Sequence, residues 1–243
     1  MGKPRVPIDP VADLTRRLAR ASGPPAARVR VCLRGWWDEH GLAEHPGAVG
    51  KRIALALLEQ PALESKLAGI AVLHELAAQL RASDLPTFAR LFVRGNLADW
   101  KVVDQFGVKI LATLLERGPG RSEAARAIAQ WRAAETIWQR RAACVAFTRL
   151  AATGETVLPG LPEIVLTVCA TVVWSHERYD QSAVGWVLRE LSRAEPARVA
   201  QFFRKHALLM SKECARTAVA KYPPDLRAEL LAHHKRATSL ARD

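Results

Sequence analysis

The sequence predicts an all-α protein, an α-solenoid of stacked helix pairs. Three observations carry that expectation. Ala, Leu and Arg are abundant, while there are only 6 Phe and 2 Tyr, a mixture that favours helix over sheet. Apolar residues recur at i, i+3, i+4 along most of the chain, the period of a helix with one buried stripe. No hairpin signature and no strand–helix–strand alternation interrupts them.

Residues 1–10 read as a flexible segment. Asp9-Pro10 starts the first helix, with Val11, Leu14, Leu18 and Ala21 on one side, and Gly23-Pro24-Pro25 ends it. A second helix spans about 26–40 and carries Val29, Val31, Cys32 and Leu33, with Trp36-Trp37 near its close. After a turn-rich connection over 41–50, helices are expected at about 48–58 and 63–80, separated by Gln60-Pro61. Ser83-Asp84-Leu85-Pro86 is a helix start, a capping side chain with proline in the first turn, and that helix ends at Gly95.

The next helix opens at Asp99-Trp100 and runs to about Arg117, before Gly118-Pro119-Gly120. Ser122 is the expected cap of a helix over 123–131, and another covers 136–152. Residues 161–174 are rich in β-branched side chains, but their length and helical neighbours favour helix. Helices follow at 180–194, 197–206, 212–221 (capped by Ser211) and from Pro223-Pro224 to about His234, with 236–243 as a C-terminal tail. Taken in pairs the helices repeat at roughly 40 residues, the period of HEAT-like units, whose stacking gives a concave surface. One HEAT-like domain over 11–235 is the expectation.

The chain has 243 residues, 49% of them hydrophobic, enough for a substantial core. Lys+Arg number 36 against 24 Asp+Glu, a formal net charge of +12. A basic surface on a folded chain points to a polyanion, nucleic acid first. Cys32, Cys144, Cys169 and Cys214 are widely spaced and form no CxxC, which reads as buried thiols in a reducing compartment. The seven His show no metal-ligand spacing, and His233-His234 reads as part of a solvated end. No signal peptide or membrane span is apparent, so a cytoplasmic protein is expected.

Three places break the ordinary pattern. Trp100 and Asp104 are spaced i, i+4 and share one edge of their helix's apolar stripe, which Val103, Phe106, Gly107, Ile110, Leu111 and Leu114 define. In the 180–194 helix the core stripe is Val184, Val187, Leu188 and Leu191. Trp186, Arg189 and Arg193 fall on the opposite face, with Tyr179 two turns before Trp186. Aromatic faces beside guanidinium groups suit a nucleic-acid backbone and exposed sugars. Arg141 points away from the buried set Ala142, Ala143, Ala146, Phe147 and Leu150, where its fork suits a phosphate.

Four segments together resemble the bacterial DNA alkylation-repair glycosylases of the AlkD type, which are HEAT-like solenoids. They are Trp100-x-x-x-Asp104, Ile137-Trp138-x-x-Arg141-Ala142-Ala143, Val184-Gly185-Trp186-x-Leu188-Arg189-Glu190, and the stretch Leu209–Glu213. The third is the most specific, and the likeness is best from about Leu63 to Tyr222. It departs at Asp99 and Lys101, where the family often has a Trp and an Asp, and it is loose around Trp36-Trp37 and His45-Pro46.

The resemblance implies that Asp104, Trp100 and Trp186 form the catalytic cleft and that Arg141 and Arg189 contact the DNA backbone. Tyr179 would keep the family's aromatic character, and Arg193 extends the basic strip. The implied reaction is hydrolysis of the N-glycosidic bond of cationic N7- and N3-alkylpurines in duplex DNA, leaving a free base and an abasic site. It needs no cofactor and no metal, and a monomer suffices. The competing expectation is a non-catalytic HEAT-like scaffold that binds DNA or a protein partner.

Overall fold

A computed structural model describes residues 9–42, 47–116 and 120–240. Every regular element among them is helical, and the fold is all-α and solenoid-like, as the composition and periodicity predict. No described helix is long and apolar enough to cross a membrane. The chain divides into two compact units, residues Met1–Leu80 with Val93–Leu97, and residues Arg81–Phe92 with Ala98–Asp243.

The first unit holds α1 (Pro10–Arg20), α2 (Pro25–Glu39), α3 (Gly47–Glu59) and α4 (Leu63–Glu75). Asp9 caps α1, its carboxylate accepting from Val11 N at 2.9 Å, and Pro10 takes the first helical position, where no N–H is needed. The expected flexible segment therefore ends earlier than residue 10, and its residues 1–8 lie outside those described. Trp36 is fully buried, and its indole N–H donates to Pro10 O at 3.1 Å, tying α2 to the start of α1. The helix expected over 63–80 ends at Glu75, where Leu76 turns to φ −88°, ψ 14°, and a 3₁₀ turn follows over Ala77–Gln79. His45-Pro46 lies outside the described residues.

The second unit contains most of α5 (Leu85–Val93), then α6 (Trp100–Phe106), a π turn (Gly107–Leu111) and α7 (Ala112–Glu116). These last three run on without a break, so the single helix expected from Trp100 is present, but its middle is wound wider. Then come α8 (Arg121–Gln130), α9 (Ile137–Val145), α10 (Thr148–Ala151), α11 (Leu161–Val172), α12 (Arg178–Leu191), α13 (Pro196–His206), α14 (Lys212–Ala218) and α15 (Pro224–Leu240). The β-branched run expected to be helical over 161–174 is helical over Leu161–Val172 and turns at Val173-Trp174. Thr136 and Ser211 act as N-caps, their hydroxyls accepting from Gln139 N and Cys214 N.

Four expectations need correction in this unit. α8 starts before Ser122, because Gly120 at φ 87° occupies the cap. The helix expected over 136–152 breaks at Ala146-Phe147 into α9 and α10. The expected tail over 236–243 is helical through Leu240, where α15 ends. His234 is no solvated end: it is buried, with Nε2 2.9 Å from Met210 O and its ring against Phe203.

Four helices, α6, α9, α12 and α14, form a parallel layer whose contacts rise in register. Asp104 meets Arg141, and three residues on Gly107 meets Val145 and Ala146, so α6 and α9 ascend together. Trp138 stacks on Tyr179 and Arg140 bonds Asp180, so α9 and α12 do too. Gln181 meets Ser211 and Gly185 meets Cys214 and Thr217, which brings in α14. A built Cβ at Gly185 would stand 2.9 Å from Cys214 O, so only glycine admits that approach. The parallel order brings the amino-terminal turns of the four helices, and the residues they carry, to one edge of the layer.

Candidate functional site

Asp104 sits in the second turn of α6. The helix starts where it does because Asp99 caps it, its carboxylate accepting from Lys101 N at 2.8 Å. Asp99 thus has a local structural role. The cap leaves Trp100 as the first helical residue, 43% exposed, with Lys101 Nζ 5.6 Å from its ring centroid. Asp104 follows one turn later on the same face. Val102, Val103 and Phe106 anchor the other face in the core, with Phe106 edge-on to Phe88 and Phe92. A π turn directly after a candidate catalytic residue fits the wider pattern, since such turns cluster at functional sites.

The Asp104 carboxylate is held by Arg141. Arg141 Nε donates to Oδ1 at 2.7 Å and Nη2 to Oδ2 at 2.8 Å, a bidentate pair. Arg141 Nη1 donates to Tyr179 O at 2.7 Å and to Ser182 Oγ at 2.8 Å. Four of its five N–H groups are spent on the protein, and its side chain is 6% exposed against 16% for Asp104. This corrects the reading of Arg141 as an outward fork. α9 lies between α6 and α12, so the face opposite its own apolar set is covered by those helices. Of the pair, Asp104 keeps the larger exposure.

Tyr179 is half-buried. Its ring packs on Trp138 at 4.9 Å between centroids and lies 5.8 Å from the Arg141 guanidinium. A neighbouring helix therefore covers the start of the strip expected on α12. Trp186, also half-buried, lies one turn beyond Ser182 on the same face, and Ser182 touches the Arg141 group that holds Asp104. Asp104, Arg141, Tyr179 and Ser182 are thus joined by direct contacts, with Trp100 and Trp186 each one turn from a member.

Arg189 sits further along α12, but the helix ends at Leu191 and not at 194, so Arg193 lies in the turn beyond it; neither joins that cluster. Arg189 donates to Glu190 Oε1 from Nε and Nη2 at 2.8 and 2.6 Å. Arg193 is 59% exposed and only 3.9 Å from Glu190 Oε2 at its closest, so it is the more available cation. Sequence reasoning missed Ser182, the Trp138–Tyr179 stack and Glu190 as a local counter-charge. Trp138 was the findable one, because it lies inside a motif and at the same helical position as Tyr179.

Two comparisons bear on the site. A family model described as DNA alkylation repair enzyme matches residues 19–222, which include every member of the cluster. No curated protein matches the chain. Among solved structures, one titled a predicted DNA alkylation repair enzyme from Enterococcus faecalis superposes with a TM-score of 0.68. It shares 18% identity and is aligned over 90% of this chain and 96% of its own, a likeness of fold.

Proposed function

This chain belongs to the DNA alkylation repair enzyme family, and from that premise we propose that it is a monofunctional DNA glycosylase. Its substrates are cationic N7- and N3-alkylpurines in duplex DNA, and its products a free base and an abasic site. The observation that carries this reading is the Asp104 carboxylate: partly open to solvent, fixed by two Arg141 N–H groups and one turn from an exposed indole.

The chemistry follows from the substrate's charge. Alkylation makes the purine a cation and hence a good leaving group, so no general acid is needed. As the glycosidic bond lengthens, positive charge builds on the deoxyribose, as in glycoside hydrolysis. A carboxylate has about four acceptor directions, and Arg141 takes two. The others remain for the sugar's developing charge or for a water to attack it. Arg141 weakens the field of Asp104, but of the two side chains Asp104 keeps the larger exposure. Fixed orientation then supplies what bare charge does not, because no reorganisation is required at the moment of reaction. The exposed indole of Trp100 and the half-buried one of Trp186 each offer a π face to a cationic centre, worth about 0.5–2 kcal/mol apiece.

The test is incubation with methylated duplex DNA and detection of released 7-methylguanine. Asp104→Asn should release it roughly 100-fold more slowly or worse, while still binding DNA. Release at the parent rate would remove Asp104 from the mechanism. A non-catalytic binding scaffold is the second reading, favoured by the way both Asp104 oxygens are engaged as in a structural ion pair. The absence of any base release from the parent protein would select it.

A further inference from the structure

Two consecutive arginines on α9 each grip an aspartate on a different neighbouring helix. Arg141 holds Asp104 on α6, and Arg140 holds Asp180 on α12. Arg140 Nε and Nη2 donate to Asp180 Oδ2 at 2.9 and 2.7 Å. Arg140 Nη1 donates to the carbonyls of Ala134 and Glu135, both at 2.8 Å, in the turn that enters α9. Asp180 is 0% exposed, so it meets neither DNA nor water.

Stability is a poor explanation for this pair. A buried ion pair is often no better than an apolar pair of the same volume. Here burial pushes the Asp180 carboxyl above its ordinary value, with Ser175 and the bonds and charge of Arg140 only partly opposing it, and its Oδ1 has no hydrogen-bond partner among the described residues. A carboxyl raised in this way contributes most to folding at low pH, where it is protonated in both states, and that contribution is lost as pH rises. At neutral pH the fold carries the charged pair at a disadvantage.

What the pair does is geometric. Asp180 lies between Tyr179, whose carbonyl accepts from Arg141, and Gln181. The buried Gln181 amide donates to Val173 O, Ser175 O and Leu209 O, and its oxygen accepts from Ser211 N. Three successive residues of one helical turn are thus fastened to Arg141, to Arg140 and to the turns beside α11 and α14. We infer that Arg140 and Asp180 are positioning residues for the Asp104 centre: their pair locks the first turn of α12 against α9, and that turn holds Arg141, which aims the carboxylate.

The activity readout of this inference rests on the glycosylase reading, so the experiment carries a second readout that does not. The double variant Arg140→Met, Asp180→Leu replaces the pair by apolar groups of similar bulk. We expect it to melt within a few degrees of the parent and to bind methylated duplex within about twofold. Single-turnover release of 7-methylguanine should fall roughly 10- to 100-fold, the scale of a misaimed group. The Arg141 Nε–H resonance in nitrogen-15 NMR, slow to exchange in the parent, should move to the position of a free arginine. A double variant with the parent's release rate and the parent's Arg141 resonance overturns the inference. Should the double variant fail to fold, Arg140→Lys, which keeps the charge but not the fork, is read by the same two measurements, and parent values in both overturn it. If the parent releases no base, the glycosylase reading fails, and the Arg141 resonance alone decides the positioning role.

Discussion

The Asp104–Arg141 pair makes demands that a lone surface carboxylate would not. Removing Arg141 leaves a carboxylate in a partly buried place with its two closest donors gone. Arg141→Ala should therefore destabilise the protein by about 2–3 kcal/mol. It should also slow base release by freeing the Asp104 rotamer. Arg141→Lys restores one charge but not the two parallel bonds or the contacts to Tyr179 O and Ser182, so it should recover little of either. Denaturant unfolding together with single-turnover release checks both. Parent-like release by Arg141→Lys would show that charge at this position suffices and that the fork is dispensable.

At the scale of the element, the first turn of α12 and its seat on α14 hold the site in place. Gly185→Ala would put a methyl 2.9 Å from Cys214 O and 3.1 Å from Cys214 Cα, backbone atoms that cannot rotate aside. A loss of about 1–3 kcal/mol is expected, seen as a lower melting temperature, because overpacking forces the helices apart. In the first unit, Asp13 offers a pH test. Burial alone would raise its carboxyl, but the His40 hydrogen bond and Arg17 outweigh burial and hold it below its ordinary value. A depressed carboxyl stabilises above its unfolded pKa and loses that effect as pH falls through the folded one. The melting difference between parent and Asp13→Asn should thus be full near neutral pH, begin to shrink near about pH 4 and disappear only as the pH falls further, through the lowered folded pKa. A difference that persists into acid would remove the charge of Asp13 from the account.

Much of this level was legible in the sequence. The helix start at Asp9-Pro10, the cap at Ser211, and the helical state of 161–172 follow from local rules about side chains near backbone ends and about period. The orientation of Arg141 was not legible, because a helical wheel locates a residue relative to its own helix and is silent on which neighbours cover the far face. The same limit hid Tyr179 beneath Trp138 and the Arg140–Asp180 pair, both set by the register between α9 and α12.

Over the whole chain, the count of 36 Lys+Arg overstates the cations free to meet DNA, because many arginines already face a carboxylate. Arg17 faces Glu39, Arg149 faces Glu116, Arg178 faces Glu213 and Arg204 faces Glu229. Exposed pairs of this kind are weak and exchange readily for a phosphate, whereas Arg141 is bound on nearly every N–H and shielded from solvent. Salt dependence separates the two kinds, since each phosphate contact adds about one to the slope of log affinity against log salt. Arg193→Ala, which removes an exposed cation in the turn after α12, should lower that slope by about 1 and weaken binding evenly across sequences. Arg141→Ala should leave the slope unchanged while slowing base release. A slope that falls with Arg141→Ala but not with Arg193→Ala, measured by titrating duplex DNA over a range of salt, would mean that the Asp104 pair opens on binding and that Arg141 reaches the backbone itself.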